Sequence, residues 1–344
     1  MKVNYQQARE FLERINNKDN VAIITHNDMD GLCSGMLFRN FCIQKGCKFS
    51  VFFLNYGVNK ISDFDLGKFN KILVSDLSPG LISGELDSMS DKKILYVDHH
   101  QEDTNFPISE DILELRTTSE GYIPSSRTCF ELTGKENKDI QWISVVGVLG
   151  DMGHLYEINK EFLEKFYKDS GKSFEICLDA TKKLNSVIIY FSPKTEEAFE
   201  KFIELKSIED VSQLSEYSKE VAEEFMRLGS DFARNHRVFG KIIYFEIESK
   251  FTGIKSALVT SLCSERSENV FVFVSSKDNG NGISARNASK KYDVSRILKK
   301  CAEGLKNSSA GGHKSAAGAF IMKEDLDKFK ENLAKIKLEE YKIK

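Results

Sequence analysis

Long apolar runs are missing from these 344 residues, and none approaches the roughly 18 consecutive apolar positions that span a bilayer. Met1 to Asn20 mixes charges at helical spacing and has no apolar targeting core. There is no C-x-x-C pair, and the seven cysteines, at 33, 42, 47, 129, 177, 263 and 301, are odd in number and sit mostly in apolar segments. That pattern excludes a disulfide framework or a zinc knuckle and reads as buried thiols in a reducing compartment, so the expected location is cytoplasmic. An excess of basic charge is missing too: Lys and Arg number 49 against 52 Asp and Glu, a formal net charge of −3. This removes a global attraction to long phosphate backbones and leaves a local patch, or a short or small phosphorylated substrate. No internal repeat or low-complexity tract is present.

Histidine is also scarce, at six residues, and its distribution is uneven. His26, His99, His100, His154 and His313 all fall in or beside short motifs rich in Asp or Gly. The length points to two domains, each with its own core.

The first half alternates β-rich runs with helical patterns: Val21 to Thr25, a helix from Leu32 to Lys45, Phe49 to Leu54, Lys71 to Ser75, a turn at Pro79, then Ile94 to Val97. This rhythm predicts an α/β fold with a doubly wound parallel sheet. Ligands of such sheets sit beyond the carboxyl ends of the strands, where His26, Asp76 and Asp98 stand. An apolar helical stretch, Trp142 to Leu149, precedes Gly150-Asp151, and a charged helical region follows from about Thr195 to Asn235. β-rich runs return at Lys241 to Ile247 and Val270 to Val274, with helical patterns at Ile254 to Cys263, Val294 to Leu305 and Leu326 to Tyr341. The expected organisation is a metal-binding domain over 1–190, a helical connector over 191–237 and a smaller α/β domain over 238–344, with the active site in the cleft between the domains.

Two strand ends carrying ligand-type residues suggest one metal site. His26, Asp28 and Asp30 share a face if the strand runs through them, or fan around two centres if it gives way to a loop at Gly31; alternatively Asp30 caps the helix from Leu32. Asp76 is placed to bridge two ions at the sheet edge, or to cap a helix. In Asp98-His99-His100 the successive imidazoles face different directions, so one can bind metal while the other meets substrate, and Asp98 can orient an imidazole. Asp151 would complete the set. Asp28, Asp30, Asp76 and Asp151 then give four carboxylates, formally matching two divalent ions, the pair that phosphoester hydrolysis uses. His154 reads as a surface histidine.

In the C-terminal half, Ala310 to Ala319 is built of small residues around Gly311-Gly312-His313-Lys314. It is either an anion-binding backbone segment or a tight turn against a helix, and it lacks the spacing of a Walker A loop. Arg286 can reach the same phosphate with paired hydrogen bonds.

In this order the motifs resemble the DHH phosphoesterases with a C-terminal DHH-associated domain, which include RecJ-like exonucleases, nanoRNases and cyclic-dinucleotide phosphodiesterases. The resemblance rests on His26 to Gly31, Asp76, Asp98 to His100, Asp151 and Gly311 to Gly318. It implies His26, Asp28, Asp30, Asp76, His99 and Asp151 as ligands of two divalent ions, manganese first and magnesium second, with Asp76 bridging. It further implies His100 on the scissile phosphate, with Asp98 behind it, and Arg286, Gly311, Gly312 and His313 as substrate-binding residues. The implied activity is an exonuclease or oligonucleotidase releasing mononucleotides from short single-stranded DNA or RNA. Alternatives are a hydrolase of a cyclic dinucleotide, nucleoside bisphosphate or polyphosphate, or an inactive scaffold in a replication complex; replication and repair proteins are the candidate partners. The H-x-D-x-D spacing is closer to RecJ-like members than to nanoRNases, and two glycines rather than three precede His313.

Overall fold

The first unit of the chain, Met1–Ser218, is organised around a five-stranded parallel sheet. This computed structural model describes residues 1–343 apart from 56–57, 88, 90, 101–107, 278–279 and 313. In chain order the unit comprises α1 (Tyr5–Glu13), β1 (Asn20–His26), α2 (Met29–Lys45), β2 (Lys48–Leu54), β3 (Lys71–Ser75), α3 (Pro79–Asp87), β4 (Lys93–Asp98) and β5 (Leu113–Arg116). Helices α4 (Ser125–Thr133), α5 (Gln141–Gly150), α6 (Lys160–Ser170), α7 (Phe174–Phe191) and α8 (Thr195–Ile203) follow.

The strand order is β2-β1-β3-β4-β5, so the direction of winding reverses between β1 and β3. The apolar runs of β1, β3 and β4 are buried on both faces, as a parallel sheet covered by helices requires. Their side chains alternate between two cores. Val21, Ile23, Leu73, Leu95 and Val97 enter the core shared with α2, α4 and α5, whereas Ala22, Ile24, Ile72, Val74, Ile94 and Tyr96 enter the core on the opposite face. Helix α2 is buried almost all round, which explains its lack of a polar stripe. Its close fit to α4 and α5 depends on small residues: a Cβ on Gly147 would lie 2.2 Å from Ser126 Oγ and 3.0 Å from Cys33 Cβ.

The segment read from sequence as a connector divides. Ala198, Phe199, Phe202, Leu205, Ile208, Val211 and Leu214 are buried in the first core. The unit boundary falls in the first turn of α9 (Ser215–Asn235).

The second unit, Lys219–Lys344, contains β6 (Arg237–Phe239), β7 (Ile242–Ile247), α10 (Ile254–Glu265), β8 (Val270–Lys277), β9 (Gly280–Arg286), α11 (Val294–Ala302), β10 (Ser309–Gly312), β11 (Ala316–Ile321) and α12 (Leu326–Ala334). Its six-stranded sheet runs β10-β11-β9-β8-β7-β6, with only β7 and β8 parallel. One face carries a core of Tyr244, Val272, Ile283, Ile297, Leu298 and Phe329. On the other, Phe245, Phe271 and Phe273 meet Phe232 of α9 at ring separations of 5.5–6.3 Å. All seven cysteines are free and buried, and no helix among the described residues is long and apolar enough to cross a membrane.

Candidate metal centre

The carboxyl ends of β1, β3 and β4 lie side by side, and the strand order reverses between the first two. That reversal opens the crevice in which such sheets bind ligands. His26 is the last residue of β1, and the chain turns at once into α2. The turn is tight: a Cβ on Gly31 would sit 2.3 Å from the His26 carbonyl oxygen, so only glycine fits. Asp28 caps α2 by accepting the Gly31 N–H at 3.0 Å. The sequence reading gave the alternative capping role to Asp30 with a helix from Leu32; the helix instead starts at Met29, and the cap is Asp28. Asp30 lies in the first turn, buried, and accepts the backbone N–H groups of Ser125 at 2.7 Å and Ser126 at 3.0 Å. With the strand ending at His26, Asp28 stays beside His26, whereas Asp30 turns toward His99 and Asp151.

Asp76 follows β3 in a left-handed conformation, φ 59°, which Asp tolerates better than most residues. Its N–H still donates to Val97 O at 3.1 Å, extending the ladder to β4 while the chain turns into the crevice. Pro79 opens α3 rather than a free turn. Asp98 is the last residue of β4, and His99 follows it directly. His99 Nε2 lies 3.3 Å from Asp76 Oδ1 and 3.5 Å from Asp151 Oδ2, and His26 Nδ1 lies 2.8 Å from Asp28 Oδ2 and 3.9 Å from Asp76 Oδ2.

Three groups of potential ligands emerge: His26, Asp28 and Asp76; Asp30, His99 and Asp151; and Asp76, His99 and His100, with the ligand atoms of each group within 4.8 Å of one another. Asp76 and His99 each belong to two groups. Among the described residues, two atoms in this cluster, Asp76 Oδ2 and His99 Nδ1, are buried with no hydrogen-bond partner. Buried polar atoms normally have one, and Asp76 Oδ2, 3.9 Å from His26, fits a divalent ion that would take up its unused lone pair.

The electrostatics agree. Burial, followed by repulsion from Asp28, Asp30, Asp151 and Asp98, holds the Asp76 carboxyl well above the usual carboxylate range. Burial and the charges of Asp30 and Asp28 push Asp151 up to about 8, against the hydrogen bond that Tyr122 Oη donates to it at 2.7 Å. Asp30 is raised mainly by burial. Carboxylates this crowded oppose one another's ionisation, and cations between them remove the conflict.

His100 is arranged differently. Its Nδ1 meets Asp98 Oδ1 at 2.7 Å, and its backbone N–H donates to Asp98 Oδ2 at 3.1 Å. Burial alone would lower its pKa, but the Asp98 hydrogen bond and the charges of Asp98, Asp28 and Asp151 raise it above the ordinary imidazole value. Arg116 braces the pair, donating to the His100 carbonyl at 3.0 Å with its guanidinium 3.7 Å from Asp98 Oδ2. Nε2 is the ring nitrogen left for an external group.

His154 packs against the Phe174 ring, at 5.5 Å, and belongs to none of the ligand groups. In the second unit, Arg286 ends β9 opposite Ala316 of β11, and Gly312 of β10 pairs with Ala317. The small-residue segment thus contributes two antiparallel strands, β10 and β11, to the sheet and not a tight turn against a helix. Gly312 needs to be glycine, with φ 124° and the Ala316 carbonyl 2.8 Å from where a Cβ would be. Arg286 Nη1 donates to Ala285 O at 2.9 Å, and among the described residues no carboxylate pairs with it. Gly311 lies beside Gly312 on β10, and His313 is outside the described residues.

Tyr122, Arg116 and the Ser125-Ser126 amides were not foreseen. They come from β5, the loop after it and the start of α4, stretches without His or Asp; Pro124-Ser125 as a helix start was the one local signal.

A doubly wound sheet with His and Asp side chains gathered at adjacent strand ends defines an α/β protein with a candidate divalent-metal centre. Residues 239–338 match the DHHA1 domain. The whole chain superposes on an exonuclease RecJ structure bound to manganese with a TM-score of 0.78 at 15% identity, covering 98% of this chain and 96% of that one. The DHH domain of a member of the s1p family of ribosomal proteins follows at 0.72 and 13% identity, with 97% and 91% covered. CDC45 from Entamoeba histolytica gives 0.67 and 12% identity, with 97% and 99% covered. No curated sequence matches the chain. Residues 239–338 are therefore a DHHA1 domain, and the chain shares the fold of these RecJ, DHH-domain and CDC45 structures.

Proposed function

We propose that this protein is a metal-dependent phosphodiesterase that removes mononucleotides from short single-stranded nucleic acid. The observation that carries the reading is Asp76, 2% exposed, with one oxygen 3.3 Å from His99 and the other unbonded 3.9 Å from His26. One carboxylate facing two ligand groups is the arrangement that two adjacent divalent ions require. His26, Asp28 and Asp76 would hold one ion, and Asp30, Asp76, His99 and Asp151 the other. Manganese leads, because the RecJ structure of the same fold is bound to it. Ions bound here would neutralise phosphoryl charge and activate water.

The chain's own residues supply the rest. Asp98 fixes His100 so that Nε2–H donates to a non-bridging phosphate oxygen, where negative charge builds during displacement. The peptide amides of Ser125 and Ser126 hold both oxygens of Asp30 and so fix its direction. Arg286, with no carboxylate partner among the described residues, and Gly311, Gly312 and His313 are the substrate-binding residues of the second unit. The chain's balanced charge supports short substrates over long strands.

An assay with end-labelled oligonucleotides of graded length tests this. Mononucleotides are expected in Mn²⁺, faster from short strands, with loss in chelator. Asp76→Asn should lower the rate by more than about 100-fold, the loss that outer-shell partners of metal ligands already approach. Cleavage confined to pyrophosphate or polyphosphate would replace the nuclease reading with that of a small-phosphate hydrolase. No hydrolysis of either class would leave the scaffold reading.

A further inference from the structure

Beside the metal centre the surface is apolar where solvent would favour polar groups. Met152, Leu155, Tyr156 and Ile158 are 48%, 68%, 39% and 37% exposed, and all follow within seven residues of the ligand Asp151. This segment is braced. The buried Asn159 side chain donates to the carbonyls of Tyr122 at 2.9 Å and Gly153 at 2.8 Å, and Arg127 donates to Ile158 O at 2.7 Å and Asn159 Oδ1 at 2.9 Å. Apolar side chains held outward on a rigid support are preorganised for a ligand.

The rings show which ligand. His99, the shared ligand, meets the Tyr122 ring edge-on at 5.0 Å, and Tyr122 stacks on Tyr156 at 4.3 Å with 16° between planes. The outer end of this series is Tyr156, one face covered by Tyr122. Tyr156 also lines a cavity of about 280 Å³ whose apolar wall is Leu155, Leu163, Tyr167 and Phe174. Glu157, Lys160 and Glu164 stand around it, which suits a flat ligand with apolar faces and hydrogen-bonding edges better than an apolar peptide. We propose that Tyr156 and this cavity form a nucleobase subsite, where the base of the nucleotide whose phosphate occupies the metal centre stacks on the open part of Tyr156. Stacking accepts any base, because every base has a π-face, so the subsite would fix position without selecting sequence. The inference rests on the phosphodiesterase reading and adds the part of the substrate that the metal centre does not touch.

Equilibrium binding of a fluorescein-labelled trinucleotide, and of its abasic counterpart, separates the two. Both are measured in Ca²⁺, with hydrolysis of unlabelled trinucleotide in Mn²⁺ followed separately. Tyr156→Ala is expected to weaken trinucleotide binding about 10- to 100-fold, the effect of losing one stacked base. Tyr156→Phe should bind like wild type, and the abasic ligand should bind weakly and equally to all three. The subsite is overturned if wild type does not distinguish the two ligands, or if Tyr156→Ala loses both alike or neither. Base-dependent binding without hydrolysis would retain the subsite and remove the hydrolase reading; hydrolysis with Tyr156→Ala unaffected in binding would do the reverse.

Discussion

Asp76 and Asp98 are both buried aspartates at strand ends, yet their surroundings oppose each other. Burial and then four carboxylates raise Asp76, whereas Asp98 is held below the usual range: burial acts against it, but His100, His99 and Arg116 outweigh burial. Removing charge at Asp76 should therefore relieve the metal-free protein. In chelator, Asp76→Asn is expected to melt at or above the wild-type temperature; Mn²⁺ should raise wild type by several degrees and the variant far less, as thermal melts with and without metal would show. Removing charge at Asp98 has the contrary effect. Asp98→Asn leaves His100 without its partner, and kcat should fall about 100-fold with little change in KM, measured on a short oligonucleotide. These residues were legible in the sequence because each sits in a compact motif at the end of an apolar run. Tyr122 and the amides of Ser125 and Ser126 were not, because a bond such as Ser125 to Asp30 links positions 95 residues apart and a backbone N–H has no sequence signature.

Among the elements, β1, β3, β4 and α2 could be read from their apolar runs, since burial on both faces demands continuous hydrophobicity. β5 could not: Leu113–Arg116 is four residues with Glu114 and Arg116 alternating, and it is recruited by pairing with β4. β10 and β11 read as an anion-binding segment or a tight turn because glycine and alanine are poor strand formers; packing beside β9 overrides that preference. One buried ion pair ties the loop before β1 to the start of β3, with Lys71 Nζ 2.8 Å from Asp19 Oδ2. Burial opposes ionisation of Asp19, but hydrogen bonds from Lys71, the Asn16 N–H and Asn70 prevail and depress its pKa. The depressed value means that the pair's contribution is complete above the unfolded-state value of 3.8 and disappears as pH falls through the lower folded-state value. Asp19→Asn is thus expected to cost about 2–3 kcal/mol at pH 7, with the difference from wild type shrinking in strong acid, measured by urea denaturation across pH.

At the scale of the molecule, the second unit has its own sheet and its own core, which includes Tyr244, Val272, Leu298 and Phe329. Residues 219–344 expressed alone are expected to unfold cooperatively and to ignore Mn²⁺, whereas in the whole chain Mn²⁺ should move only the transition of the first unit, as calorimetry of both would reveal. The two-domain expectation followed from length. The partition did not, because the helical stretch after residue 190 shows a regular apolar stripe whether it packs on a core or bridges two. The buried thiols offer a way to watch each half separately. Five of them, from Cys33 to Cys177, belong to the first unit, and Cys263 and Cys301 to the second. A thiol reagent reaches a cysteine only when the surrounding core opens, so the order in which the seven are labelled is a clock, recording which half of the chain loosens first.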